Sequence, residues 1–279
     1  MAPDPCREAS LAGALTPLAA GPLISIAQGM LQVDIAPDAG GRIAQIRFDG
    51  VEQLVGPEDG DPAMIAWGSY PMAPWAGRVR DGRFDFEGRR YRVPLNLGNH
   101  AVHGIAFGLS WRVEAQSSRH VELTLQLPED RHWPFGGALR QHLEAGERSL
   151  RMEMSATAGK HSMPVVIGWH PWFRKPDRVA FSPSLMYPTD ADGISTSPPV
   201  APSRGPWDHC FLNRKPVHLH RGGQVLRLTS DCSHWVVYDQ TPHATCIEPQ
   251  SGPPDAFNLD PVALAPGEAL GAWFLIEWL

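Results

Sequence analysis

The sequence predicts an all-β protein, a large antiparallel sandwich or barrel, and three observations carry that expectation. Apolar residues recur with a period of two. The 28 prolines and 27 glycines are spread along the whole chain and interrupt any long helical stripe. Residues 84 to 93 read as a hairpin.

The strands follow in order. In "LQVDI", Leu31, Val33 and Ile35 share one face. In "HVELTLQL", Val121, Leu123, Leu125 and Leu127 do so, with Glu122, Thr124 and Gln126 opposite. "LRMEMSA" repeats the pattern with Leu150, Met152, Met154 and Ala156. Such alternation marks half-buried antiparallel strands. In "FDFEGRRYRV", a turn at Gly88-Arg89 would pair Glu87 with Arg90, Phe86 with Tyr91, Asp85 with Arg92 and Phe84 with Val93. The arginines between 78 and 92 then read as a salt-laced solvated face rather than a nucleic-acid patch, with Arg78 and Arg80 left over. Near the end, in "HATCIEPQSGPPDAFN", Ala244 to Ile247 read as the last residues of a buried strand and Pro249 to Pro254 as a rigid loop. Glu248 falls on the seam. The stretch from Pro183 to Pro206 is the one long loop, a candidate to close over a site.

At 279 residues and 30.6 kDa the chain has room for one large domain or two ordinary ones. No repeat, low-complexity tract or linker divides it. Residues 24–279 are therefore expected to form one domain, and 1–23 an N-terminal extension, a candidate flexible segment. A net charge of -6 argues against a nucleic-acid partner. Cys6, Cys210, Cys232 and Cys246 form no CxxC, and free thiols in a reducing compartment are the default. In "LAGALTPLAAGPLI", Pro17, Gly21 and Pro22 interrupt the apolar run, and Asp4 and Glu8 precede it where a signal peptide carries positive charge. No run reaches the roughly 20 apolar residues of a membrane span. The expectation is a soluble, cytoplasmic protein without a membrane partner.

Phosphate-binding glycine motifs and a GxSxG elbow are absent. His218 and His220 share a strand face, but two ligands are not a metal site. His103 and His170 each end an apolar segment, and alone each reads as a core or interface histidine. Trp75, Trp169, Trp172 and Trp207 suit either a sugar ring or the core. Read alone, Glu248 is a carboxylate paired with an arginine at a strand end.

The combination is more specific. "PMAPWAGRVRDGRFDFEGRRYRVPLNLGNHAVHG", "GWHPWF", "WDHCF" and "CIEPQSGPPDAFN", in this order, resemble the aldose 1-epimerase (galactose mutarotase) family from about residue 24 to the C-terminus. The resemblance implies a large antiparallel β-sandwich that interconverts the anomers of a free aldose without metal or cofactor. It implies Glu248 as general base, His170 as general acid, and Arg78, His103 and Asp208 as sugar-binding groups. Two positions depart from the family pattern, Gly77 where many relatives have Asn and Ile105 where many have Gly, and both would sit near the sugar. The partner would be a small sugar, and the protein a monomer or homodimer.

The chemistry fits these residue types. Ring opening needs a base for the anomeric hydroxyl and an acid for the ring oxygen, each typically contributing about 10²–10⁴-fold. Partial drying at a strand end raises a carboxylate's pKa toward neutrality, and imidazole exchanges protons near neutral pH. Three alternatives stay open: an epimerase of a hexose 6-phosphate with Arg80 as anion partner, a non-catalytic sugar-binding protein, and a glycosidase using Asp208 and Glu248.

Overall fold

The computed structural model describes residues 13–279. Two antiparallel sheets hold most of the strand residues. The first is ten-stranded, and its middle runs Arg42–Phe48, Ser69–Met72, Gly168–Arg174, Ala244–Gln250, His234–Tyr238 and Asp208–Leu212. The second is eight-stranded, with His120–Gln126, Ala138–Ala145, Ser149–Thr157, Ala269–Trp278 and Gln224–Ser230 as consecutive neighbours. One apolar cluster runs through both, including Ile35 and Trp235 from the first sheet and Leu123, Met152 and Phe274 from the second. Trp169 and Trp235 meet Phe274 across the layers, with ring centroids 6.0 and 6.1 Å apart. The period-two expectation is met in three strands: Leu31, Val33 and Ile35, then Val121, Leu123 and Leu125, then Leu150, Met152, Met154 and Ala156 are all buried.

Two local expectations need correction. The hairpin turns at Glu87-Gly88, both with positive φ (47° and 73°), so its register shifts by two. Phe84 then faces Tyr91, their rings stacked 5.6 Å apart, and Asp85 faces Arg90 with a 3.1 Å ion pair. The Glu87–Arg90 and Asp85–Arg92 pairings do not form. A two-residue turn with both φ positive matches the twist of the strands, and the aromatic stack adds to it.

The second correction concerns Glu248. Its strand runs on through Gln250, and all seven residues are buried. Glu248 is thus inside a central strand covered on both faces. Pro249 is tolerated there because the ladder to Gly168–Arg174 is interrupted: Gly168 pairs with Gln250 and Trp172 with Cys246, but the positions between do not pair. Pro171 and Pro249, which lack an N–H, fall within that gap. The same register continued through it sets His170 opposite Glu248.

Of the N-terminal extension, residues 1–12, with Cys6, lie outside the described residues. Ala14 is fully buried and donates its N–H to the Asn96 carbonyl at 2.8 Å, and Pro17 bridges Ala63. Cys210, Cys232 and Cys246 are free and buried, Cys232 included despite its polar sequence context. The stretch 183–206 holds a short strand, Leu185–Met186, and the bridges Met186–Val200 and Thr189–Ser195. No described helix is long and apolar enough to cross a membrane.

Candidate active site

On the face of the first sheet turned away from the second, alternate residues of adjacent strands line up in two rows across the strands. Tyr70, His170, Glu248, Val236 and Cys210 form one, and Trp172, Cys246, Tyr238 and Asp208 the other. Over these rows lie the paired strands Arg78–Val79 and Ala101–Val102. Between them is a cavity of about 310 Å³, lined by all five residues singled out from the sequence, Arg78, His103, His170, Asp208 and Glu248. The cavity also takes in Trp172, one of the tryptophans the sequence offered for a sugar ring, and Tyr238, Gln240 and Gln250, which the sequence reading did not single out. Gln250 was within reach of it, because two residues beyond Glu248 on a strand is the same face.

His170 Nε2 lies 3.3 Å from Glu248 Oε1, and their side chains are only 6% and 2% exposed. Gln250, fully buried, donates from Nε2 to the other carboxylate oxygen of Glu248 at 3.2 Å. Burial, reinforced by the charge of Asp208, pushes the Glu248 carboxyl well above the usual carboxylate range. Burial likewise pulls His170 down to about 3, with the Arg42 cation adding to it. Both groups are thus driven toward their neutral forms. His103 is held well below the ordinary imidazole value by burial, by His170 and by Arg78.

Aromatic rings fix the imidazole. Tyr70 stacks on His170 at 4.7 Å, Trp172 stacks on it at 5.5 Å, and His103 meets it edge-on at 4.9 Å. The Ile65 carbonyl accepts from both Tyr70 Oη and Trp172 Nε1, at 3.2 and 2.7 Å. Behind Tyr70 sits Arg42, fully buried, whose guanidinium donates to the carbonyls of Ala39, Met64, Trp67 and Phe107. It lies 5.0 Å from the Tyr70 ring.

Two glycines explain how the loops approach. His103 adopts φ 60° and donates its N–H to the Gly77 carbonyl at 2.9 Å. Gly104 follows at φ 75°, where a Cβ would lie 2.0 Å from the Ala73 carbonyl oxygen. Gly77, at φ 65°, would place a Cβ 2.6 Å from Pro254. An Asn tolerates that φ, but this chain has set Pro254 where the side chain would begin. The same loop donates the Asp255 N–H to the Arg78 carbonyl at 2.7 Å, and Asp255 Oδ1 accepts from the Arg80 N–H at 3.0 Å. The prolines after Glu248 thus tie its strand to the segment carrying Arg78.

Arg78 and Asp208, each about one-third exposed, stand 3.9 Å apart at the cavity. Arg80, the anion partner of the phosphorylated-sugar alternative, is instead paired with Asp190 and Asp192 and does not line the cavity. Those two aspartates belong to the 183–206 stretch, none of which lines the cavity. Ile105 faces a different, smaller cavity beside Trp75 and Phe107 and does not line the cavity that holds the five candidate residues. Of the four tryptophans, Trp172 lines the site. Trp75 and Trp169 are core, and Trp207 packs on Phe181 and Phe211. His220 is hydrogen-bonded to Arg178. Among the described residues, the one group of side chains placed to share a cation is His170, Cys246 and Glu248.

Comparison with known proteins identifies first the fold class. The structure is similar to a putative aldose 1-epimerase from Escherichia coli K12, with TM-score 0.80 and 20% identity over 92% of this chain and 99% of that one. It is similar also to a galactose mutarotase-like protein from Clostridium acetobutylicum, with TM-score 0.82 and 17% identity over 92% and 95%. A galactose 1-epimerase from Lactobacillus acidophilus NCFM gives 0.77 and 16% over 92% and 94%. In sequence, the uncharacterised protein YihR of Escherichia coli K12 is 24% identical over 85% of this chain and 86% of its own length. Residues 22–277 match the aldose 1-epimerase family, and the chain belongs to that family.

Proposed function

We propose that the protein interconverts the α and β anomers of a free, unphosphorylated aldose, with Glu248 and His170 as the acid/base pair and Arg78, His103 and Asp208 holding the sugar. The observation that carries this reading is the 3.3 Å contact between two buried, oppositely shifted groups that both face the cavity. The anomeric oxygen and the ring oxygen are bonded to one carbon, so the base and acid serving them must be close neighbours.

Proton counting supports the assignment. Ring opening starts with one labile proton on the pair: Glu248 accepts the proton of the C1 hydroxyl, His170 gives its proton to the ring oxygen, and the bond from C1 to that oxygen breaks. The pair then holds its one proton on the carboxyl, the form burial favours, and the starting form with that proton on His170 is reached from it by transfer across the 3.3 Å contact. Rotation about the C1–C2 bond and the reverse transfers close the ring on its other face, as reversibility requires. Arg78 offers a planar fork to sugar oxygens, and Asp208 accepts from hydroxyls. Arg80, the cation the phosphorylated-sugar alternative relies on, is already paired with Asp190 and Asp192, which counts against that substrate.

The test is anomer exchange by NMR with glucose, galactose and a hexose 6-phosphate, wild type beside Glu248→Gln. Exchange above the spontaneous rate for a neutral sugar, lost in the folded variant, is expected. A folded Glu248→Gln protein with undiminished exchange would remove the pair from the mechanism.

A further inference from the structure

Cys246 precedes Glu248 by two residues on one strand, so both side chains leave on the face that carries His170. A His170 ring nitrogen, the Cys246 sulfur and a Glu248 carboxylate oxygen all lie within 4.8 Å of one another, and all three residues are buried. The proposed epimerisation has no use for the thiol. His170 Nδ1 and Gln250 Oε1 are also buried without a hydrogen-bond partner, so the pocket floor holds more polar capacity than its own contacts consume.

We propose that His170, Cys246 and Glu248 form a binding site for a thiophilic divalent cation such as Zn²⁺, whose binding blocks the sugar site and switches the protein off. The coordination stands on this geometry alone; only the inhibition rests on the proposed function. Imidazole, thiolate and carboxylate are the ligands zinc takes, at roughly 2.0–2.3 Å, with three protein ligands leaving a fourth position open. Ligand atoms around such a centre stand under about 4 Å apart, so closing the present separations asks for side-chain shifts of about an ångström. The thiol proton and the proton held on the Glu248 carboxyl both leave to solvent as the bonds to the metal form. Mg²⁺ and Ca²⁺ prefer all-oxygen sites and are excluded by the sulfur. A bound ion would occupy the nitrogen and oxygen lone pairs that the acid/base exchange needs.

The test uses the full chain and Co²⁺ as a spectroscopic stand-in for Zn²⁺. Expected is a thiolate-to-cobalt charge-transfer absorption that Zn²⁺ bleaches and that is missing in Cys246→Ala. Zn²⁺ affinity by calorimetry should fall by about 100-fold or more in that variant, beyond the cost of losing a merely supporting contact. Cys246→Ala should keep its metal-free anomer exchange and become resistant to Zn²⁺. Cys246→Ser provides the same comparison if the alanine variant folds poorly. An absorption that persists in Cys246→Ala, or Zn²⁺ held equally tightly by both, overturns the site. Charge transfer without anomer exchange in any sample would keep the metal site and discard the epimerase reading. Exchange without charge transfer would do the reverse.

Discussion

His170–Glu248 and His142–Glu122 are both Glu–His pairs set across neighbouring antiparallel strands, and only the first has the makings of a catalyst. On the outer face of the second sheet, Glu122 stands opposite His142, and Glu153 lies on the far side of that histidine. His142 Nδ1 is 3.7 Å from Glu122 Oε1, with 28% and 26% of the side chains exposed, and Glu122 also holds Arg140. On the first sheet, His170 and Glu248 are separated by 3.3 Å and are 6% and 2% exposed. Residue types and cross-strand geometry are alike. What differs is water: the outer pair is solvated and screened, whereas the inner pair is dried by Tyr70, Trp172 and the Gly77–Arg78 segment. Under the proposed function, what sets the inner pair apart is burial rather than pairing.

The largest effect that sharpens this contrast is on turnover. Glu248→Gln keeps the hydrogen-bond shape and removes the proposed base, and anomer exchange should fall by about 10²–10⁴-fold, measured by NMR with folding checked by circular dichroism. If Glu122→Gln in the outer pair lowered exchange comparably, the comparison would fail.

How much of this was legible in the chain follows from range. Strand faces at Leu31, Val121 and Leu150 were readable because a period of two is a local property. The hairpin register was not, because the choice between turning at Glu87-Gly88 and at Gly88-Arg89 depends on which aromatic rings stack across the strands. Motif by motif, Arg78, His103, His170, Asp208 and Glu248 could be found by resemblance, and they do line one cavity. Their mutual placement could not be found that way. It follows from the interrupted ladder at Pro171 and Pro249, which is a relation between strands distant in sequence. Arg80 looked free because its partners, Asp190 and Asp192, come from a segment more than a hundred residues away.

The pH dependence is the next test. The pair is competent while it holds one proton in total. Undisturbed groups, with values of 4.5 for the carboxyl and 6.5 for the imidazole, would confine that state to the window between them. Raising Glu248 delays loss of the single proton as pH rises, and lowering His170 to about 3 delays gain of a second as pH falls. The pair titrates as a unit. Wild-type kcat/KM, which reports the free enzyme, should therefore stay level as pH falls through 4.5, its acid limb moved down toward about 3. An acid limb at or above 4.5 would mean that burial does not set the pair's protonation.

A smaller effect is expected at Arg78, which is partly exposed and contacts Asp208 only at 3.9 Å. Arg78→Lys retains the charge and loses the planar fork. A lost charge-assisted hydrogen bond is worth about 1.5–3 kcal/mol, so KM should rise by roughly 10- to 100-fold with kcat changed much less. Equal losses in kcat and kcat/KM would place Arg78 in the transition state instead.

The smallest effect closes the comparison from the outer side. Glu122→Gln removes the carboxylate that His142 and Arg140 share on a solvated sheet face. Exposed pairs contribute about 0–1 kcal/mol because water and salt already screen them. Urea unfolding should shift by no more than that, and anomer exchange should be unchanged. The same substitution at Glu248 belongs beside it in one unfolding series. There a buried carboxyl already driven toward its neutral form is replaced by a neutral amide of equal shape, so stability should hold or rise while turnover collapses. Opposite responses of stability and turnover at one position, and indifference of both at the other, would separate a site built for chemistry from a surface built for water.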